Sequence, residues 1–74
     1  MTGRSLQEAL LEAHAADDRL ALVSLYLEAA NLAAESQDIE KECFFLTHAW
    51  VFALETDHEL SDDLRVRLEY YGRA

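Results

Sequence analysis

The side chains that could carry chemistry are few. The one thiol is Cys43, and His48 follows five residues later. A cysteine nucleophile needs a base within hydrogen-bond reach. On one helix, side chains five residues apart point in different directions, so Cys43 and His48 cannot pair within a chain. Cys43 falls on the side of Leu46 and Trp50. There a thiol behaves as a small buried apolar group that reacts slowly with bulky reagents. His14 stands three and four residues before Asp17 and Asp18, a spacing that can bring two metal ligands together. Two ligands do not make a site, and a histidine near a helix C-terminus is already favoured by the helix dipole. Asp62 and Asp63 are adjacent, so on a helix they point apart and form a first-turn acid pair, not an acid–base dyad. There is no glycine-rich phosphate loop and no cysteine–histidine zinc spacing. The sequence assigns no catalytic residue, no metal ligand and no cofactor.

The elements that position these residues are helices. The 74 residues contain no proline and two glycines, Gly3 and Gly72, one near each end. Alanine, leucine and glutamate dominate, a strongly helix-forming composition, and no alternating strand pattern occurs. We therefore predict an all-α chain of four antiparallel helices over about 6–16, 19–36, 39–56 and 62–71, a single small domain with a loose tail over 1–4. Ser5-Leu6-Gln7-Glu8 reads as a capping box for the first helix. Asp17-Asp18 suits a break and a new N-terminus, although a helix continuous through it is an alternative. Leu22, Tyr26, Ala29, Ala30 and Ala33 line the second helix, and its small residues let another helix approach closely. Asn31 sits on the flank as an exposed amide. In the last helix Ser61 is the expected cap, Asp63 and Arg67 an i to i+4 pair, Leu64, Leu68 and Tyr71 the apolar stripe, and Gly72 the left-handed C-terminal cap.

The third helix is the centre of the pattern. Ile39, Cys43, Leu46, Trp50, Ala53 and Leu54 fall on one side; Phe44, Phe45, Val51 and Phe52 fall on the other, around His48. Its charges, Glu40, Lys41, Glu42, Glu55 and Asp57, stand at the two ends. A helix apolar nearly all round is covered on both sides. In so short a chain either the other helices clasp it or a second molecule does. A domain of this size buries only about 60% of its unfolded surface, so oligomerisation is a common remedy. The expected contact residues are Phe44, Phe45, His48, Val51 and Phe52, and the expected assembly is a homodimer. His48 reads first as a hydrogen-bonded residue of a packed or self-paired surface. As a pH-sensitive interface switch it would exploit an imidazole that titrates near neutrality.

Charge narrows the partners. Fifteen acidic residues against six basic give a net charge of -9. Phosphate backbones demand clustered lysine and arginine, and the one lysine is Lys41. Nucleic acid and anionic membrane are excluded as expectations, while a basic protein partner is admitted. The charge also serves simply to keep a small helical protein soluble. No apolar run reaches the ~20 residues that span a bilayer. A lone cysteine and the lack of a signal-peptide pattern point to the cytoplasm.

Two segments repeat a motif. Leu22 to Ala29 and Leu46 to Ala53 share Leu-x3-aromatic-x2-Ala, and the breaks recur about twenty residues apart. A large aromatic followed three residues later by alanine lets backbones close up where the ring fills the groove. Ala53-Leu54-Glu55-Thr56-Asp57, with Trp50 before it, resembles the second-helix ending of the tetratricopeptide repeat. Gln37-Asp38 resembles its glycine–aspartate turn, and Tyr26 with Ala29-Ala30 its first helix. His58 stands where the family usually has proline, and the stretch from Asp38 to Ala53 is one helical turn longer than the family spacing. The resemblance covers roughly Leu22 to His58 and implies antiparallel helical hairpins and a role in protein–protein contact. It transfers no ligand-binding residue. The alternative expectation is a helical-bundle accessory subunit of an enzyme, or a small-ligand-binding protein with a pocket walled by Phe45, Phe52 and Tyr70.

Overall fold

A computed structural model describes residues 5–74, so the expected tail over 1–4 lies outside the described residues. The chain is all-α: α1 (Leu6–Ala15), α2 (Arg19–Glu35), α3 (Ile39–Glu55) and α4 (Ser61–Tyr70). Each packs against its neighbour in sequence, and α2 with α3 makes the largest contact. The Cα envelope measures 38 × 29 × 15 Å. Its thin dimension is that of two helix layers, since axes pack about 8–10 Å apart.

The breaks share one mechanism. Asp17, Gln37 and Asp57 adopt positive φ of 54°, 59° and 53°, and Gly72 adopts 75°. At each break the next residue's amide reaches back to a buried residue. Asp18 donates to the Ala13 carbonyl at 2.9 Å, Asp38 to Ala33 at 3.0 Å, His58 to Ala53 at 2.8 Å and Arg73 to Leu68 at 2.9 Å. This is the Schellman closure, in which one left-handed residue lets two late carbonyls find donors. Asp18 and Asp38 then turn their carboxylates to the next helix, accepting from Ala21 N at 3.2 Å and Lys41 N at 3.1 Å. One residue thus ends a helix and its neighbour starts the next, which is why the three-residue turns 16–18 and 36–38 suffice without proline or glycine. The chain is broken between α1 and α2, not continuous.

At α1 the capping box forms as expected, with Ser5 Oγ accepting from Glu8 N and Ser5 N donating to Glu8 Oε1, both at 3.1 Å. The last helix departs from expectation. Its cap position is Leu60, with no side-chain cap, and Ser61 is already its first residue. The hairpin instead uses His58, whose Nδ1 accepts from Leu60 N at 3.1 Å.

The core is built of Leu22, Val23, Ala29, Ala30 and Ala33 from α2, Cys43, Leu46, Ala49 and Ala53 from α3, and Leu64 and Leu68 from α4. The small α2 residues lie buried as the pattern required. Cys43 is buried at 2% exposure. Two expectations for α3 fail: Ile39 and Leu54, assigned to the Leu46 side, are 50% and 56% exposed. Ile39 is the first residue of α3 and Leu54 its last but one, so both stand at the ends of the helix. Among the described residues no helix is long and apolar enough to cross a membrane.

Candidate functional site: the two sides of the third helix

Five candidate residues lie on α3, and the structure divides them. Phe45 and Phe52 are half-buried and turn toward Tyr26 of α2. The Tyr26 ring lies nearly parallel to Phe52, 13° between planes and 6.1 Å between centroids, and 6.1 Å from Phe45. His48 is half-buried, its ring 5.0 Å from Tyr26 and 4.5 Å from Phe44. Phe44 and Val51 are open, at 57% and 44% exposure. Tyr26 is therefore the hub that fixes three of the five, while Phe44 and Val51 face outward.

His14 joins this cluster. Its Nε2 is 2.8 Å from the Tyr26 hydroxyl, and its ring stands edge-on to both Tyr26 and Phe52. The ligand pair with Asp17 or Asp18 does not form. Asp17 binds Arg19 at 3.2 Å and Asp18 caps α2. The sequence placed His14 beside the apolar stripe of α1 but could not show that Tyr26, twelve residues later, would meet it. One ring nitrogen of His48 is also engaged: Nδ1–H donates to the Phe44 carbonyl at 2.9 Å. A carbonyl only accepts, so this contact sets the tautomer.

The other side of α3 carries a polar group that sequence reasoning missed. Glu42 was grouped with the charged end of the helix, yet its side chain is 3% exposed. Its Oε2 accepts from Arg67 Nη2 at 2.9 Å and Nε at 3.3 Å; its Oε1 accepts from the Tyr71 hydroxyl at 2.8 Å. The bond to the Glu42 carboxylate raises the Tyr71 pKa above the usual phenol value, with burial adding in the same direction. Position 42 falls on the line of Leu46, Ala49 and Ala53, at i, i+4, i+7 and i+11, so its burial was readable from that spacing. What no spacing revealed was its partner. Arg67 was expected to pair with Asp63, but it reaches across to α3 and Arg65 takes the local pairs with Glu69 and Asp62.

A groove of about 500 Å³ opens between α1 and α3 above the C-terminal half of α2. Leu6, Leu10, Ala29, Ala33 and Phe45 wall it, with Asp38 and Lys41 at its rim. The expected pocket walled by Phe45, Phe52 and Tyr70 does not form: Tyr70 is 83% exposed, and Phe52 borders a separate hollow with Thr47, His48 and Val51. Compared with known protein families, with curated proteins and with solved structures, the chain matches none.

Proposed function

We propose that this chain is a small protein–protein interaction module of tetratricopeptide-like helical hairpins, not an enzyme, and that it self-associates through the outer side of α3. One observation supports this most: Phe44 and Val51 stand exposed on a helix whose neighbouring Phe45, His48 and Phe52 are held in place by Tyr26. A rigid apolar surface loses little side-chain freedom on binding, which favours association. We further propose a cytoplasmic location and a basic protein as a further partner class, which the net charge of -9 suits. Sedimentation of the native chain and of Val51→Asp tests the proposal. The native chain is expected to run as a dimer and Val51→Asp as a monomer of unchanged helicity. A native chain that stays monomeric at high micromolar concentration overturns self-association.

A second reading has its own observation. The α1–α3 groove has the volume of a small-molecule site, about 300–1,000 Å³, and an apolar wall with a lysine and an aspartate at its mouth. A thermal-shift screen with apolar carboxylates and amines distinguishes the two: ligand-induced stabilisation lost in Ala33→Phe supports a binding protein.

A further inference from the structure

Phe44, Thr47, Val51 and Leu54 recur on α3 at steps of three, four and three, the spacing of the seam positions of a coiled coil. All four are exposed, Leu54 at 56%. The one side-chain polar atom among them is already satisfied within the helix. Thr47 Oγ1 donates to the Cys43 carbonyl at 2.8 Å, leaving its methyl for contact. His48, beside the stripe, donates to the Phe44 carbonyl. Covering this stripe would strand no hydroxyl, which removes the usual penalty of burying one. Thr47 is the smallest of the four, and hollows flank it on both sides. One is bordered by Glu40, Cys43, Phe44, His48 and Arg73 and the other by His48, Val51 and Phe52. Small hollows between larger side chains are what a facing helix fills.

The charges beside the stripe choose the occupant. Lys41, His48 and Glu55 follow one another at steps of seven along one flank. When two copies of a helix pack antiparallel, like flank meets like flank with the order reversed. Lys41 of one copy then stands opposite Glu55 of the other, at both ends of the seam. Parallel packing brings no such pairing, because the opposite flank carries Cys43 and Trp50. Lys41 makes no ion pair among the described residues, whereas Arg19 is shared between Asp17 at 3.2 Å and Glu55 at 3.4 Å. Two carboxylates on one guanidinium leave a negative charge for a second cation. Near the N-terminal end, Glu40 is answered by Arg73 at 3.0 Å, so Lys41 is not surrounded by unpaired acid from its own helix.

We propose that two copies of this chain pair through an antiparallel α3–α3 seam, Phe44 against Leu54 and Thr47 against Val51, locked by two reciprocal Lys41–Glu55 contacts. The proposal rests on the self-association put forward above and adds its orientation and register. The test is a charge swap read by sedimentation equilibrium. Lys41→Glu and Glu55→Lys are each expected to weaken the dimer about tenfold, since each reverses two partly exposed pairs, and the double variant is expected to recover native affinity. Cysteine pairing reads the register independently. In a Cys43→Ala background, a Thr47→Cys chain mixed with a Val51→Cys chain is expected to form the mixed disulfide in preference to the Thr47→Cys self-disulfide. A dimer that is indifferent to the charge swap, or that cross-links position 47 to itself, overturns the register while self-association stands. A chain monomeric in every arm overturns both.

Discussion

The two sides of α3 begin from similar material and end in different states. Toward α4, one buried carboxylate, Glu42, accepts three hydrogen bonds from Arg67 and Tyr71, and every neighbour along its line is buried. Toward solvent, Phe44, Val51 and Leu54 remain open, although they are more apolar than the residue buried opposite. The difference teaches that burial in so small a chain follows where a partner helix can reach, not which residue is greasiest. α4 supplies a guanidinium and its C-cap residue a phenol, so a carboxylate is tolerated there. No described helix packs over the Phe44 stripe, so it stays open to solvent.

The contrast is most sharply broken from the buried side. Glu42→Ala is expected to cost about 2–4 kcal/mol, toward the low end for breaking a buried pair because the Arg67 side chain keeps 31% exposure and can partly solvate. A domain of this length holds on the order of 4–11 kcal/mol in all, so urea midpoints should fall steeply; a change under about 0.5 kcal/mol would mean that Glu42 is not clamped. On the open side, Val51→Asp should leave the monomer within about 0.5 kcal/mol of native, as for most surface changes, and still abolish the dimer. Chemical denaturation at dilute protein separates the two effects, and a large loss of monomer stability would show that Val51 packs inside the fold.

Smaller effects sharpen the comparison. Tyr26→Phe keeps the ring stack on Phe52 and removes the hydroxyl partner of His14, with an expected cost of about 0.5–1.5 kcal/mol. A double-mutant cycle with His14→Ala measures whether the bond itself carries that cost. The smallest effect is the alkaline one. Because the bond to Glu42 raises the Tyr71 pKa in the fold, the phenol is held protonated more strongly than in the unfolded chain. That contribution is fully present below the unfolded value near 10 and is lost as pH rises through the higher folded value. Tyr71→Phe should therefore flatten the fall in stability above pH 10, and an unchanged alkaline slope would count against the contact.

Much of this was legible in residue types. The Ser5–Glu8 capping box, the breaks at Asp17-Asp18, Gln37-Asp38 and Asp57-His58, and the alanines that let α2 and α3 close up all stand where the pattern placed them. The cap of α4 was misjudged because Ser61 fits the rule in composition, while the His58 ring fills the turn in space. At the candidate site, the α3 residues were named but their division into packed Phe45 and Phe52 and open Phe44 and Val51 was not. A projection around one helix gives directions and says nothing of where Tyr26 of another helix ends.

What the sequence determined by itself is local: four helices, their bounds within a residue or so, and which turns separate them. Capping, propensity and short-range hydrogen bonds act within a few residues and so are written in neighbouring letters. Only the tertiary structure decided that Arg67 abandons Asp63 for Glu42, that His14 meets Tyr26, and that one apolar stripe of α3 stays uncovered. Those outcomes depend on distances between helices far apart in sequence, set by the packing of the whole chain at once.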